Sequence, residues 1–201
     1  HRDLHSFPTR RSSDLRAREN FPDSTPFSLE WYKALGIVKQ ACYETCQAFY
    51  QAVSSQGLTE KLPTPPMPEQ SLTALIRAAI EVGRGEHYGS FIVPALSGGA
   101  GTSINMNINE IIVNRALVLN GHSPGAYTVM DPIVHANIYQ STNDVVPTAL
   151  KVAAMQMLES LEEAINLLRK EIENVETQTR HMMRVGRTQM RSEEASCRER
   201  V

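Results

Sequence analysis

The chain has little that would tie it to membranes, nucleic acid or an oxidising compartment. Three cysteines in 201 residues cannot frame a disulfide scaffold, so a reducing, cytoplasmic setting is the default expectation. No apolar run approaches the roughly eighteen residues of a spanning helix, and the N-terminus lacks the apolar stretch of a secretion signal. An excess of one charge is missing too. Twenty Lys+Arg against 22 Asp+Glu leave a formal net charge of -2, which argues against a nucleic-acid surface or a polybasic membrane face. What is present suits a folded domain: 41% hydrophobic and 21% charged residues, enough to bury a core.

The two ends differ from the rest. Residues 1–15, HRDLHSFPTRRSSDL, show no apolar periodicity and no helix start. Residues 5–15 resemble the translation of a short-read sequencing adapter, and 191–201, RSEEASCRERV, resemble its opposite strand with one frame slip. Both are expected to be non-native tails that pack against nothing, leaving 16–190 as the natural part of a longer chain.

Within 16–190 the pattern is mainly α. Leu29 to Gln56 favours helix, with Ala34, Ile37, Val38, Ala41 and Cys42 at helical spacing as the inward stripe. Cys42 and Cys46 share one face with no further ligand nearby, so packing is the better reading than a metal pair. LPTPPMP, 62–68, reads as a stiff connection. A second helix is expected from Glu69 to Gly83, with Leu72, Leu75, Ile76 and Ala79 inward. After a glycine-rich loop to Gly101, a third runs from about Ser103 to Asn120. A long fourth pattern extends from Asp144 to about Met182, with Pro147 in its first turn. Its apolar residues, Leu150 through Val175, step at three and four, so it needs partners along its length, as in a helical bundle. Almost nothing reads as strand.

Three polar clusters sit where a core does not want them. In GGAGTSINMNINE, 98–110, glycines lead into a helix opening with Thr102, Ser103, Asn105, Asn107 and Asn109. Asparagine is a poor helix-interior residue, so three of them suggest amides that bind something. Free N–H groups at such a helix start favour an anion, yet no lysine follows the glycines as in a P-loop. The second cluster is QSTND, 140–144, where one residue would suffice as a cap and four polar side chains stand. The third is GRTQ, 186–189, placed after a turn at Gly186.

In this order and spacing, with RARENF at 16–21, the clusters resemble the aspartase/fumarase superfamily over essentially all of 16–190. Fumarases of class II resemble SGTQ, SSND and GRTH where this chain has Ala100-Gly101-Thr102-Ser103, Ser141-Thr142-Asn143-Asp144 and Gln189. All three differences lean toward the aspartases. The resemblance implies an N-terminal helical lyase domain, 16–143, and the start of a central long-helix bundle from 144 to 190, in a homotetramer. It implies reversible anti β-elimination of ammonia from L-aspartate to give fumarate, without metal or cofactor. Thr102, Ser103, Ser141, Thr142, Asn143, Thr188 and Gln189 would hold the dicarboxylate. The family's general base, a serine on a flexible loop, has no counterpart here, so no catalytic residue is expected in this segment and the segment alone is expected to be inactive.

One departure from the family matters. Ile133 and Val134 stand where many members carry a polar pair, so the secondary anion site of fumarases is not expected, and His135 reads as structural. A class II fumarase and a non-catalytic helical scaffold are the alternatives, the latter opposed by three intact polar clusters.

Overall fold

The computed structural model describes residues 19–20, 23, 25–96 and 100–182 with their side chains, and 184–188 and 191–195 as backbone. The described residues form four helices: α1 Leu29–Ser55, α2 Glu69–Gly83, α3 Thr102–Leu119 and α4 Thr142–Thr179. Local chemistry sets their ends. The Ser28 hydroxyl caps α1 by accepting from the Trp31 N–H at 3.2 Å. Pro68 closes the stiff 62–68 connection and α2 begins at the next residue. α3 follows Gly101 at φ +82° and gives way to Gly121 at φ +78°, left-handed positions that suit glycine. The chain divides within α4 into two compact units, His1–Ala154 and Met155–Val201.

The second unit contains an antiparallel hairpin of β1 Arg184–Thr188 and β2 Arg191–Ala195. One expectation changes. Gly186 is a strand position opposite Glu193 rather than a turn, in a segment where Val185 and Thr188 favour extended backbone. Residues 191–195 pair with 184–188, from Arg191 opposite Thr188 to Ala195 opposite Arg184. Residues 1–15 and 196–201 lie outside the described residues.

In the first unit α3 is the centre. From Ile104 to Asn114 every residue except Met106 is buried. α2 packs Leu72, Leu75, Ala78, Ala79 and Val82 inward, and Ile76 is half-buried. Arg115 on α3 grips Glu81 of α2 with two hydrogen bonds, 2.5 and 2.9 Å, and this holds the carboxyl below its usual range. α1 crosses α2 where neither helix has a side chain to interpose. A Cβ on Gly36 would lie 2.3 Å from the backbone nitrogen of Gly83.

The inward face of α1 is not the apolar stripe. The structure buries Tyr32, Ala34, Leu35, Gly36, Lys39, Tyr43 and Cys46, while Ile37 and Ala41 are exposed. Those buried positions recur at three and four as helical geometry requires, but three of them carry polar tips. Each tip finds an acceptor: Tyr32 donates to Glu86 O at 2.7 Å, Tyr43 to Ala136 O at 2.8 Å, and Lys39 to two amide oxygens. Ile37, Val38, Ala41 and Cys42 instead line an open groove of about 830 Å³ shared with Ile138, Val145 and Val152. Both described cysteines are free, Cys46 buried and Cys42 half-buried. No described helix is long and apolar enough to cross a membrane.

The Gly36 contact gives a direct test. Gly36→Ala forces backbone against backbone and is expected to destabilise the chain by at least ~2–3 kcal/mol in urea unfolding. Gly89→Ala, where an added Cβ meets nothing within 4 Å, is expected to change stability by no more than about 0.5 kcal/mol.

Candidate functional site

Two of the three polar clusters come together. The first turns of α3 and α4 overlap in reversed order. A Cβ on Gly101 would lie 2.9 Å from Val146 Cγ1, and Asn105 Nδ2 donates to Thr142 Oγ1 at 3.1 Å. Thr102, Ser103, Ser141, Thr142 and Asn143 therefore flank one short stretch of surface. Thr102, Ser141 and Asn143 are exposed, and Ser103 and Thr142 are half-buried. Part of the second cluster does ordinary capping: Ser141 Oγ accepts from Asn143 N–H, and its carbonyl accepts from Asp144 and Val145. Thr142 is different. Its oxygen accepts from the buried Asn105 amide, a bond that does not use its own hydrogen.

The backbone is strained just before each loop. Ala100 and Tyr139 both have φ +54°, two residues ahead of Thr102 and Ser141. Left-handed non-glycine residues cost on the order of 1 kcal/mol or more and persist only where the surroundings hold them. Tyr139 is held by edge contacts of its ring with Phe49 and Tyr50.

Beneath this surface lies a buried polar network. The Asn137 Oδ1 accepts from Asn105 Nδ2 at 2.9 Å, Asn109 Nδ2 at 3.3 Å and Lys39 Nζ at 3.3 Å. Lys39 also donates to Gln140 Oε1 at 2.7 Å, and Asn137 Nδ2 to the Gln140 carbonyl at 3.1 Å. Lys39 is fully buried, and burial pushes its ammonium down to about 7, while the nearby Cys42 thiol acts the other way.

The three asparagines divide into two kinds. Asn105 and Asn109, four apart, face the 137–142 loop through Asn137 and do not themselves open to solvent. Asn107 faces elsewhere and holds the 91–93 segment by accepting from Ile92 N–H at 2.9 Å. Asn114 fastens the next turn through Gly125 N–H and Tyr127 Oη. His135 is structural, as expected: its Nδ1 accepts from Asp131 N–H at 2.8 Å and closes the 131–135 turn. Of the third cluster, Thr188 ends β1 and belongs to the second unit, and Gln189 lies outside the described residues, as do Gly98 and Gly99. Sequence reasoning missed Lys39 and the role of Gln140. A lysine amid the otherwise inward face of α1 is the signal that could have marked it.

A family model described as "Lyase" matches residues 16–195. The chain belongs to this lyase family. Among curated relatives, the chain is 35% identical to the aspartate ammonia-lyase of Bacillus subtilis (strain 168) over 178 residues, 88% of this chain and 34% of that protein. It is 40% identical to that of Escherichia coli (strain K12) over 125 residues, 62% of this chain and 26% of that protein. Among solved structures, the fumarate lyase:delta crystallin of Brucella melitensis in native form superposes with TM-score 0.75 at 30% identity, covering 93% of this chain and 41% of its own. A class II fumarase from Schistosoma mansoni gives TM-score 0.70 at 27% identity, covering 94% and 38%. The chain thus spans about a quarter to a third of the length of these curated relatives.

The depressed lysine has a sign that can be checked. Between about pH 7 and 10 the unfolded chain holds a proton that folded Lys39 has released, so stability rises with pH across that window. With Cys42 replaced by Ala in both proteins, urea unfolding is expected to show Lys39 gaining about 2 kcal/mol relative to Lys39→Met from pH 7 to 9.

Proposed function

We propose that this chain is the opening third of an aspartate ammonia-lyase and supplies half of its dicarboxylate site. The observation that carries the reading is Thr142, a half-buried hydroxyl at the start of α4 whose oxygen accepts from the buried Asn105 amide, a bond that does not use its own hydrogen. The reaction removes a proton from Cβ of L-aspartate and ammonia from Cα on the opposite side, giving fumarate. As the proton leaves, the β-carboxylate gathers a second negative charge. Donors already oriented toward that position stabilise the transition state more than the ground state. Thr142, Ser141 and Asn143 at the start of α4, with Thr102 and Ser103 at the start of α3, are neutral donors, and the positive ends of both helices favour an anion among them. Neutral donors suit a ligand whose charge changes during turnover. The family resemblance also assigns substrate contacts to Thr188 and Gln189, in an assembly whose site regions come from different subunits, and the serine base lies in sequence beyond this segment.

The full enzyme is read as a cytoplasmic homotetramer. The apolar stripe of α4 supports assembly: Met157, Leu158, Leu161, Ile165, Leu168, Ile172 and Val175 are each more than half exposed in the single chain.

In a full-length lyase carrying this segment, Thr142→Val is expected to lower kcat/KM for L-aspartate roughly a hundredfold, with kcat falling as well as KM changing. Stability should drop by only about 1 kcal/mol, because Asn105 keeps its bond to Asn137. A raised KM at unchanged kcat, or faster turnover of L-malate than of L-aspartate, would overturn the assignment. The 201-residue chain alone is expected to release no fumarate from L-aspartate.

A further inference from the structure

We infer that Lys39 is a positioning residue that sets the hydrogen-bond polarity of the substrate-binding hydroxyl of Thr142, through a relay running Lys39–Asn137–Asn105–Thr142. The inference rests on the reading of Thr142 as a carboxylate donor and adds to it the group that makes it one. An amide side chain can turn over and exchange its donor and acceptor ends; a lysine amine holds three hydrogens when charged and two when neutral, and no oxygen. Both oxygens that Lys39 meets, Oδ1 of Asn137 and Oε1 of Gln140, can therefore take one of its hydrogens in either state. With Asn137 pinned oxygen-first, Asn105 can meet that oxygen only with its NH2 group, at 2.9 Å. The same NH2 reaches Thr142 Oγ1 at 3.1 Å, so the threonine accepts there and keeps its hydrogen for a partner other than Asn105.

The alternative polarity is visible in what the network tolerates. Asn105 Oδ1 and Asn109 Oδ1 are buried with no hydrogen-bond partner among the described residues, while Asn137 Oδ1 takes three donors. Turning Asn137 over would redistribute those bonds and aim its NH2 at Lys39 Nζ, donor against donor whenever the amine is charged. An amine with a hydrogen for each of two oxygens favours the observed arrangement, and neutral amides alone would not. Gln140, the second oxygen on Lys39, adjoins Ser141, so the same ammonium also fixes the entry of the chain into the loop.

The test is a double-mutant cycle in a full-length lyase carrying this segment, read as kcat and KM for L-aspartate with thermal unfolding alongside. Lys39→Met keeps the aliphatic stem and removes the donors. It is expected to lower kcat tenfold or more without lowering the melting temperature, and to add less than twofold in a Thr142→Val background. Asn105→Asp, which can only accept from Thr142, is expected to reproduce the Thr142→Val loss in a folded enzyme, and decides the matter if Lys39→Met does not fold. Multiplying effects of Lys39→Met and Thr142→Val, or full kcat in Asn105→Asp, would overturn the relay. Full activity in Thr142→Val alone would instead overturn the reading of the site beneath it.

Discussion

One amide oxygen holds the first unit together at its polar centre. Asn137 Oδ1 receives α1 through Lys39 and α3 through Asn105 and Asn109, and the Asn137 amide hydrogen returns to its own loop at Gln140. Tyr43 on Ala136 O, Lys39 on Gln140 and Asn105 on Thr142 add further directional ties to the same loop, where apolar contacts alone would specify no orientation. The loop carries a strained tyrosine and opens directly onto the exposed hydroxyls, so its geometry needs directional bonds. Burying a lysine among amides is a poor way to gain stability. Its hydrogens on Asn137 and Gln140 give those two amides a preferred direction.

The neighbouring crossing of α1 and α2 works by the opposite device. Gly36 and Gly83 remove side chains and let two backbones touch, so the register of the helices is set by shape. The Arg115–Glu81 pair then couples α2 to α3 at the far side of the core. Shape fixes the scaffold, and polar direction fixes the loop that the scaffold carries.

How much of this was legible in the sequence varies by element. α2 appears from Glu69 to Gly83 as its pattern predicts, because proline before it and an uninterrupted apolar stripe within it leave no competing reading. α3 and α4 begin one and two residues earlier than expected, since a hydroxyl residue can serve either as a cap or as the first helical residue. The inward face of α1 was not legible from apolar letters: Tyr32, Lys39 and Tyr43 bury long apolar bodies, and what satisfies their tips lies 54 to 101 residues away in sequence. The hydroxyl clusters were legible as unusual, and their juxtaposition at Asn105 and Thr142 was not, because it depends on a contact between helices 37 residues apart. The asparagines could be flagged from their poor helix propensity, but which ones face the loop follows only once α3 has neighbours.

α4 has a consequence of a different kind. Only Val145, Val146, Ala149 and Ala153 are buried, and every residue from 154 to 175 is exposed. Most of a 38-residue helix must therefore persist in the lone chain on intrinsic propensity, with an exposed i,i+4 pair such as Arg169–Glu173 adding a few tenths of a kcal/mol. Such a helix is cooperative with its anchored end and progressively less so beyond it. Its amide protons would exchange with solvent along a gradient, slow near Val146 and faster toward Thr179, and the gradient would vanish only when something covers the apolar stripe.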